Sequence, residues 1–213
     1  FIDDIKKILG GIPGERQTLL FSATMPNQIL RIAKDYMKKP THLRVDAGEL
    51  IVSKIKQVFY EVREEDKINA LTRLLDVEGP SLTLVFCHTK KEVDAVAGKL
   101  QQMGYPAGAI HGDFTQSHRS EMMRRFKGGE MDTLVATDVA ARGLDIPDVS
   151  HVINFSIPQD PEGYIHRIGR TGRAGKSGIA ITFVTPRQYR QLKLIEQSAK
   201  TRIKRERLPT KEQ

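Results

Sequence analysis

A run of eight residues, from His166 to Arg173, carries three arginines and two glycines. Arg170 and Arg173 are three positions apart, so on a helical turn their side chains would project from one face. Arginine keeps its charge, and its planar guanidinium donates paired hydrogen bonds to phosphate oxygens, which lysine cannot do. Gly169 and Gly172 let the backbone approach a ligand closely. The run therefore predicts either a site for a phosphoryl group or a solvated basic turn, and the neighbouring segments decide between them.

The elements that would position this run are four short apolar segments, at 82–89, 107–113, 133–138 and 151–157. Such segments, alternating with helical stretches of about ten to fifteen residues, are typical of a parallel sheet covered by helices on both faces. Ligands of these sheets bind outside the carboxyl ends of the strands. The polar residues at those ends are His88, Thr89, Gly112, Asp113, Thr137 and Asp138. We therefore expect a functional site along this edge.

The segment after the third strand offers a further polar group. Arg142 and Gly143 turn the chain, and Asp145 then presents a carboxylate. This carboxylate either accepts hydrogen bonds from a ribose or serves as a turn or cap residue.

Four segments together give the chain a family resemblance. They are HRIGRTGR at 166–173, ATDVAARGLD at 136–145, Gln116-x-x-Arg119, and Ser22-Ala23-Thr24 within LLFSATMP. In this order they resemble the motifs of DEAD-box ATP-dependent RNA helicases of superfamily 2, and the compact loops and tail resemble bacterial members. The resemblance implies an α/β fold with a RecA-like parallel sheet sandwiched between helices. This second helicase domain would be complete and would follow an incomplete piece of the first.

The resemblance implies nucleotide-binding roles for five residues. Arg170 and Arg173 would reach the γ-phosphate of ATP as arginine fingers and are the candidate catalytic residues. Asp145 would hold the ATP ribose, and Gly143 would shape its loop. His166 would link the nucleotide region to the other domain, with a purely structural role as the open alternative.

The resemblance also implies an RNA-binding surface and a coupling motif. The residues similar to the family's RNA-backbone contacts are His88, Gly112, Asp113, Arg119 and Thr137. Ser22, Ala23 and Thr24 match the triplet that couples hydrolysis to strand separation. One position departs from the family: an aspartate usually follows the strand Val152–Phe155, and this chain has Ser156. That departure weakens any prediction of an acidic contact there.

Composition agrees with an anionic partner without proving one. Lys and Arg number 34 against 26 Asp and Glu, a formal net charge of +8, which favours phosphate binding with an affinity that falls as salt rises. The chain has no tryptophan and 6% aromatic residues, and no segment suggests the interleaved aromatic and basic side chains of a base-stacking platform. We therefore expect RNA to be held through phosphates and 2′-hydroxyls, without sequence preference.

The motifs divide the chain into four parts. These are an incomplete first RecA-like domain at 1–46, a linker at 47–54, the second RecA-like domain at 55–207 and a polar tail at 208–213. The first part is predicted to contain a helix at 1–9, a strand at Gln17–Phe21, a helix at Asn27–Met37 and a strand at Thr41–Val45. A helix from Pro186 to about Lys200 is predicted to precede Lys204–Arg207 and then the polar tail, which is either solvated or in contact with RNA. An uncovered apolar strand is a template for pairing with another chain, so we expect residues 1–46 to be poorly packed or to self-associate.

ATP hydrolysis in the family needs groups that this sequence lacks. It contains neither the phosphate loop G-x-x-x-x-G-K-[ST] nor the Asp-Glu-Ala-Asp box. We therefore expect ATP with Mg²⁺ to bind mainly to the missing first domain, and the isolated chain to be inactive. Cys87, the single cysteine, is predicted to be a core residue and suits a reducing cytoplasm. No structural metal and no membrane partner are expected, because the histidines are scattered and no apolar run approaches spanning length.

Two other functions compete with an RNA helicase. One is a DNA translocase of the same superfamily, against which the His-Arg start of 166–173 and the Ser-Ala-Thr triplet argue. The other is a non-catalytic RNA-binding module, which would have no use for the paired arginines at 170 and 173.

Overall fold

The computed structural model describes residues 2–22, 25, 27–43, 55–142, 146, 148–172 and 176–209. Two compact units divide the chain, residues 1–46 and 47–213. The described part of the first unit contains two helices, and that of the second contains a seven-stranded sheet with six α-helices.

The helices of the first unit are α1 (Ile2–Gly10) and α2 (Asn27–Tyr36). Both agree with the predicted helices. α1 buries none of its residues, and Ile32 of α2 is the one buried residue in the described part of this unit. The two helices therefore keep most of their apolar surface uncovered.

The two predicted strands of the first unit are not found among its described residues. Gln17–Phe21 adopts no strand, and Phe21 is 89% exposed. Residues 41–43 adopt none either, and 44–45 lie outside the described residues. A strand exists through hydrogen bonds to a neighbouring strand, and the described residues of this unit supply no such neighbour.

The second unit is built on a parallel sheet. Its strands are β1 (Ile55–Glu61), β2 (Thr83–Cys87), β3 (Ala107–Ile110), β4 (Thr133–Thr137), β5 (His151–Asn154), β6 (Gly178–Val184) and β7 (Lys204–Glu206). Their order across the sheet is β3-β4-β2-β5-β6-β1-β7, and every pair is parallel. The carboxyl ends of all seven strands therefore meet at one edge.

Six α-helices cover this sheet. They are α3 (Lys67–Glu78), α4 (Lys90–Gln102), α5 (Gln116–Lys127), α6 (Asp138–Ala141), α7 (Pro161–Ile168) and α8 (Tyr189–Ser198). α3 and α4 pack on one face of the sheet. α5, α7 and α8 supply buried side chains to the two clusters on the other face. The arrangement confirms the predicted RecA-like sandwich.

Successive side chains of the central strands serve opposite faces, as strand geometry requires. In β2, Val85 and Cys87 join the cluster under α3 and α4, whereas Leu84 and Phe86 join the cluster under α5. All five residues of β2 are buried, which is typical of a strand covered on both sides. Cys87 is thus a core residue, as predicted, and its burial raises the pKa of the thiol.

The C-terminal segment differs from the expectation. Pro186–Gln188 form a short 3₁₀ helix before α8, and Leu192 and Ile195 of α8 are buried as predicted. Lys204–Glu206, for which no strand was predicted, form the edge strand β7 and pair with Val58–Tyr60 of β1. Three consecutive charged residues do not predict a strand. Lys204–Glu206 form one because they pair with β1.

No helix in the described part of the chain has the length and apolarity needed to cross a lipid bilayer.

Candidate functional site

The carboxyl edge of the sheet gathers the polar residues that the sequence places at strand ends. β2 lies between β4 and β5, with β3 beyond β4, so the turns after these four strands are neighbours. Several of the polar residues begin helices: Thr89 and Thr137 accept the N–H groups of Glu92 and Ala140 through their side-chain oxygens. Such N-caps fix where each helix starts, and hence where the turns lie.

Arg167 is the central residue of this edge, and the sequence interpretation did not single it out. Its side chain is 1% exposed. Nε and Nη2 donate to the two carboxylate oxygens of Asp138 at 2.6 and 2.8 Å. Nη1 donates to Asn154 Oδ1 at 3.2 Å and to the Ser156 carbonyl at 2.7 Å. The guanidinium also lies over the Phe86 ring, 5.1 Å from its centroid.

One sequence signal does point to Arg167. In α7, the residues that face the core are Tyr164, Arg167 and Ile168, at the i, i+3, i+4 spacing of one helical face. An arginine between two inward-facing apolar residues must be buried, and a buried guanidinium needs acceptors. Asp138, the first residue after β4, is the carboxylate within reach.

Arg170 lies in the turn after α7, since the helix ends at Ile168. Arg170 therefore projects from the turn that follows α7 and not from the helix itself. Its main chain is held at both ends: its N–H donates to the Arg167 carbonyl at 3.1 Å, and its carbonyl accepts the Val149 N–H at 3.2 Å. The next residue, Thr171, is buried and hydrogen-bonded through Oγ1 to the Val149 carbonyl. The base of the Arg170 side chain is therefore fixed against the segment that follows α6.

Of the remaining residues predicted to bind the nucleotide, His166 alone belongs to the described residues. His166 is exposed on the last turn of α7. Arg173, Gly143 and Asp145 lie outside the described residues.

The carboxyl ends of β2 and β5 are joined through Glu92, the third residue of α4. Its carboxylate accepts the His88 N–H at 2.8 Å and the Ser156 hydroxyl at 2.6 Å. The His88 ring lies 2.6 Å from the Ile157 carbonyl through Nε2. Ser156, the position at which the sequence departs from the family pattern, is therefore in contact with a carboxylate from α4.

Substitution Ser156→Asp is expected to lower the free energy of unfolding by about 1–3 kcal/mol at pH 8, the cost of leaving a buried polar contact unsatisfied. The new carboxylate would face that of Glu92, and a like charge raises carboxyl pKa values. Because the folded state would then bind more protons than the unfolded state, the loss should shrink as pH falls. Thermal unfolding of the chain at pH 8 and pH 5 measures both effects.

The matched control is the double substitution Ser156→Asp with Glu92→Gln, which replaces the facing charge by an amide donor. It should restore most of the lost stability at pH 8. A double variant as unstable as Ser156→Asp would show that Glu92 is not the opposing group.

The turn after β3 holds His111, Gly112 and Asp113. His111 is buried, whereas Gly112 and Asp113 are exposed. Lys90 forms an ion pair with Asp113 and holds the pKa of that carboxyl below its ordinary value through their hydrogen bond. The edge thus presents a solvated charge pair beside the turn that follows β3.

Arg119 connects this turn to the segment after β4. Its Nη2 donates to the Ala140 carbonyl at 3.0 Å and its Nη1 to Gln116 Oε1 at 3.3 Å. Its Nε is buried and lacks a hydrogen-bond partner among the described residues. Thr137, by contrast, is buried and caps α6 through its hydroxyl. The structure therefore brings Arg119 and Thr137 to adjoining turns, with Arg119 the more accessible of the two.

Of the predicted coupling triplet, Ser22 is described and exposed in the first unit, and Ala23 and Thr24 lie outside the described residues.

The guanidinium donors of the second unit suit phosphate better than a metal ion. Arg170 and Arg119 are guanidinium donors, which match anionic oxygens. Magnesium is held by carboxylate and other oxygen ligands, and no group of three or more His, Cys, Asp or Glu side chains that could hold a metal occurs in the described part of the chain. These two guanidiniums therefore suit phosphate oxygens, and the described residues show no acidic cluster that would hold Mg²⁺.

Comparison with known proteins agrees with this fold. A model of the helicase conserved C-terminal domain matches residues 66–175. The DEAD-box ATP-dependent RNA helicase CshA of Bacillus subtilis is 55% identical over 99% of this chain, and the chain covers 42% of that protein. CshA of Geobacillus kaustophilus is 54% identical over 99% of this chain, which covers 45% of it. The chain therefore spans less than half the length of these curated relatives.

Solved structures give the same family. Saccharomyces cerevisiae Dbp5 bound to RNA and ADP BeF3 matches 97% of this chain with a TM-score of 0.87 and 33% identity, over 55% of its own length. The Escherichia coli DEAD-box protein SrmB, bound to regulator of ribonuclease activity A, matches 72% of this chain at 38% identity and a TM-score of 0.69. This match covers 91% of the SrmB chain.

The parallel sheet with its charged carboxyl edge defines the C-terminal RecA-like domain of a helicase. The chain belongs to the DEAD-box RNA helicases.

Proposed function

We propose that this chain is the C-terminal half of an ATP-dependent RNA helicase, in which ATP binding and hydrolysis are coupled to unwinding of RNA duplexes. The observation that carries the proposal is the fixed main chain at Arg170, three residues beyond the buried Arg167. The main chain around it is tied to α7 and to the segment after α6, and the adjacent Arg167 is clamped by Asp138. A rigid support of this kind suits a charge that must be in place before the reaction.

Within this proposal, Arg170 and Arg173 act as arginine fingers on the γ-phosphate. Asp145 holds the ribose, Gly143 shapes its loop, and the exposed His166 links the nucleotide region to the first domain. When bound, ATP with Mg²⁺ supplies the phosphoryl group that is transferred to water. The chain's own contribution is positive charge placed where negative charge develops in the transition state.

The RNA-binding surface comprises His88, Gly112, Asp113, Arg119 and Thr137 and contacts the RNA backbone. Three observations support it: His88, Gly112 and Asp113 are exposed at neighbouring strand ends, Arg119 is anchored beside them, and the chain carries a net charge of +8. Ser22, Ala23 and Thr24 couple RNA binding to hydrolysis.

The whole protein, meaning this chain joined to the first RecA-like domain, is the active species and acts in the cytoplasm. Residues 1–46 complete the first domain, 47–54 link the two domains, 55–207 form the second and 208–213 form a tail. The uncovered apolar residues of α1 and Phe21 favour self-association of the isolated chain through residues 1–46.

The test compares the isolated chain with the whole protein in an ATP hydrolysis assay at saturating RNA. The whole protein should turn over ATP and separate a short RNA duplex, and the isolated chain should show no turnover. Replacing RNA by DNA in the same assay should remove the stimulation. Turnover by the isolated chain would contradict the proposal that hydrolysis requires the first domain. Equal stimulation by DNA would favour a DNA translocase.

A further inference from the structure

Three aromatic rings form a column on the turn between β3 and α5. The rings of His111 and Phe114 are stacked with centroids 4.1 Å apart at 24°. The rings of Phe114 and His118 lie 4.4 Å apart at 35°. Two rings whose centroids are both within 4.4 Å of the Phe114 centroid would overlap on one face, so they lie on its opposite faces. The column is therefore His111, Phe114 and His118 in that order.

The inner end of the column is fixed. His111 is buried, and its Nδ1 accepts the Asp113 N–H at 3.4 Å while its Nε2 lies 3.0 Å from Asp94 Oδ1. Since Nδ1 accepts a hydrogen bond, the hydrogen of the neutral ring lies on Nε2. This N–H donates a hydrogen bond to Asp94. Both ring nitrogens are thus engaged, and the ring plane cannot turn freely.

The outer end of the column faces water. Phe114 is half-buried and His118 is exposed. His118 lies in the first turn of α5, whose start is set by Thr115 accepting the His118 N–H. One face of the exposed His118 ring is turned toward Phe114 at a tilt of 35°, which leaves the other face of the imidazole for solvent. Core packing does not require this arrangement, because an exposed side chain contributes little to burial.

The column stands among the residues that we propose contact the RNA backbone. Gly112 and Asp113 lie between its first two rings in sequence, and Arg119 follows His118 directly. A phosphate held by this turn and Arg119 would place its own nucleotide beside the His118 ring. Protein side chains that recognise unpaired RNA commonly stack a base on Phe, Tyr, Trp or His.

We propose that the free face of His118 stacks on one unpaired base of the bound RNA, with Phe114 and His111 as its support. This inference rests on the proposed RNA-helicase function. It adds a base contact to an interface expected to involve only the RNA backbone. That expectation rested on the 6% share of Phe, Trp and Tyr, which does not include histidine. Stacking tolerates any base, so the bound RNA still needs no particular sequence.

The probe is a set of single-stranded oligoadenylates of about ten nucleotides, within the range that such binding sites span, each lacking the base at one position. Their affinities for the whole protein are measured at saturating non-hydrolysable ATP analogue. One position should be distinctive: removing its base should weaken binding about fivefold, within the stacking range for a single base.

His118→Ala should abolish the difference between the intact and the base-deficient oligonucleotide at that position, without changing the thermal midpoint. His118→Phe should retain the difference. Phe114→Leu, which keeps an apolar side chain but removes the supporting ring, should reduce it. Arg119→Ala is the matched control for a backbone contact and should weaken binding of all oligonucleotides by one common factor.

The stacking proposal is overturned if every position behaves alike in the parent protein, or if His118→Ala weakens intact and base-deficient RNA equally. In either case a common loss with Arg119→Ala would leave the RNA-helicase function standing. Failure of the parent protein to bind any of the oligonucleotides would instead contradict the RNA-helicase function itself.

Discussion

Arg170→Ala is expected to lower RNA-stimulated ATP hydrolysis by the whole protein by roughly 10³–10⁵-fold, the range over which an arginine finger contributes to phosphoryl transfer. The loss should fall on kcat, because the guanidinium is placed where charge develops during the reaction. RNA affinity should change little, since Arg170 lies on the turn after α7 rather than on the turns assigned to RNA. Steady-state hydrolysis and equilibrium RNA binding measure the two effects.

Arg124→Ala is the matched control for this substitution. Arg124 also carries a guanidinium, but it lies on the solvent face of α5, paired with Glu121 and Glu130. Its removal should leave hydrolysis unchanged. If Arg170→Ala abolished RNA binding and left the hydrolysis of bound complexes intact, the chain would be better described as an RNA-binding module.

Arg167→Met is expected to destabilise the second unit by about 3–5 kcal/mol, the cost of breaking a buried ion pair by removing one partner. It would leave the Asn154 side-chain oxygen and the Ser156 carbonyl without their donor. The lower end of the range applies, because the Asp138 side chain is 38% exposed and water can solvate it. For a unit of this size, about 3 kcal/mol corresponds to a fall of roughly 6–12 °C in Tm.

The double variant Arg167→Met with Asp138→Leu separates the ion pair from the rest of the site. If the two residues act as a pair, the double variant should be less destabilised than the sum of the single variants, since no uncompensated charge remains. Additive losses would mean that Arg167 stabilises the unit through Asn154 and Ser156 alone. In both cases the hydrolysis rate should fall, because Arg170 is attached to the backbone that Arg167 holds.

The central half of the sheet was predictable because its signal is local. β2, β4 and β5 are short apolar runs whose residues are all buried, and the threonines that follow β2 and end β4 begin the next helices. β7 could not be predicted in this way. Its three residues are Lys204, Arg205 and Glu206, and only the register against β1 makes them a strand.

The errors in the first unit have the opposite cause. Gln17–Phe21 has the apolar pattern of an inner strand. Such a segment becomes a strand only when a neighbouring strand is available for hydrogen bonding. The described part of that unit offers no neighbouring strand, so Phe21 remains exposed. Strand propensity is in this sense a property of the sheet rather than of the segment.

The location of the functional edge could be predicted, but not which of its residues makes the most contacts. Sequence spacing drew attention to Arg170 and Arg173 as a pair, yet Arg167 is the guanidinium that organises the edge. The difference lies in burial, which a motif does not display. The Glu92–Ser156 contact was invisible for another reason: its partners are separated by 64 positions, and only the adjacency of β2 and β5 brings them together.

The chain's single thiol lies in the interior of β2, fully enclosed, and its deprotonated form is suppressed by that enclosure. Maleimide reagents attack the thiolate, so the natural chain should remain unlabelled under native conditions. A cysteine introduced at an exposed site such as Val139 would then be the sole attachment point for a fluorophore on this chain. Energy transfer to a second dye on the first RecA-like domain could follow the approach of the two lobes in real time.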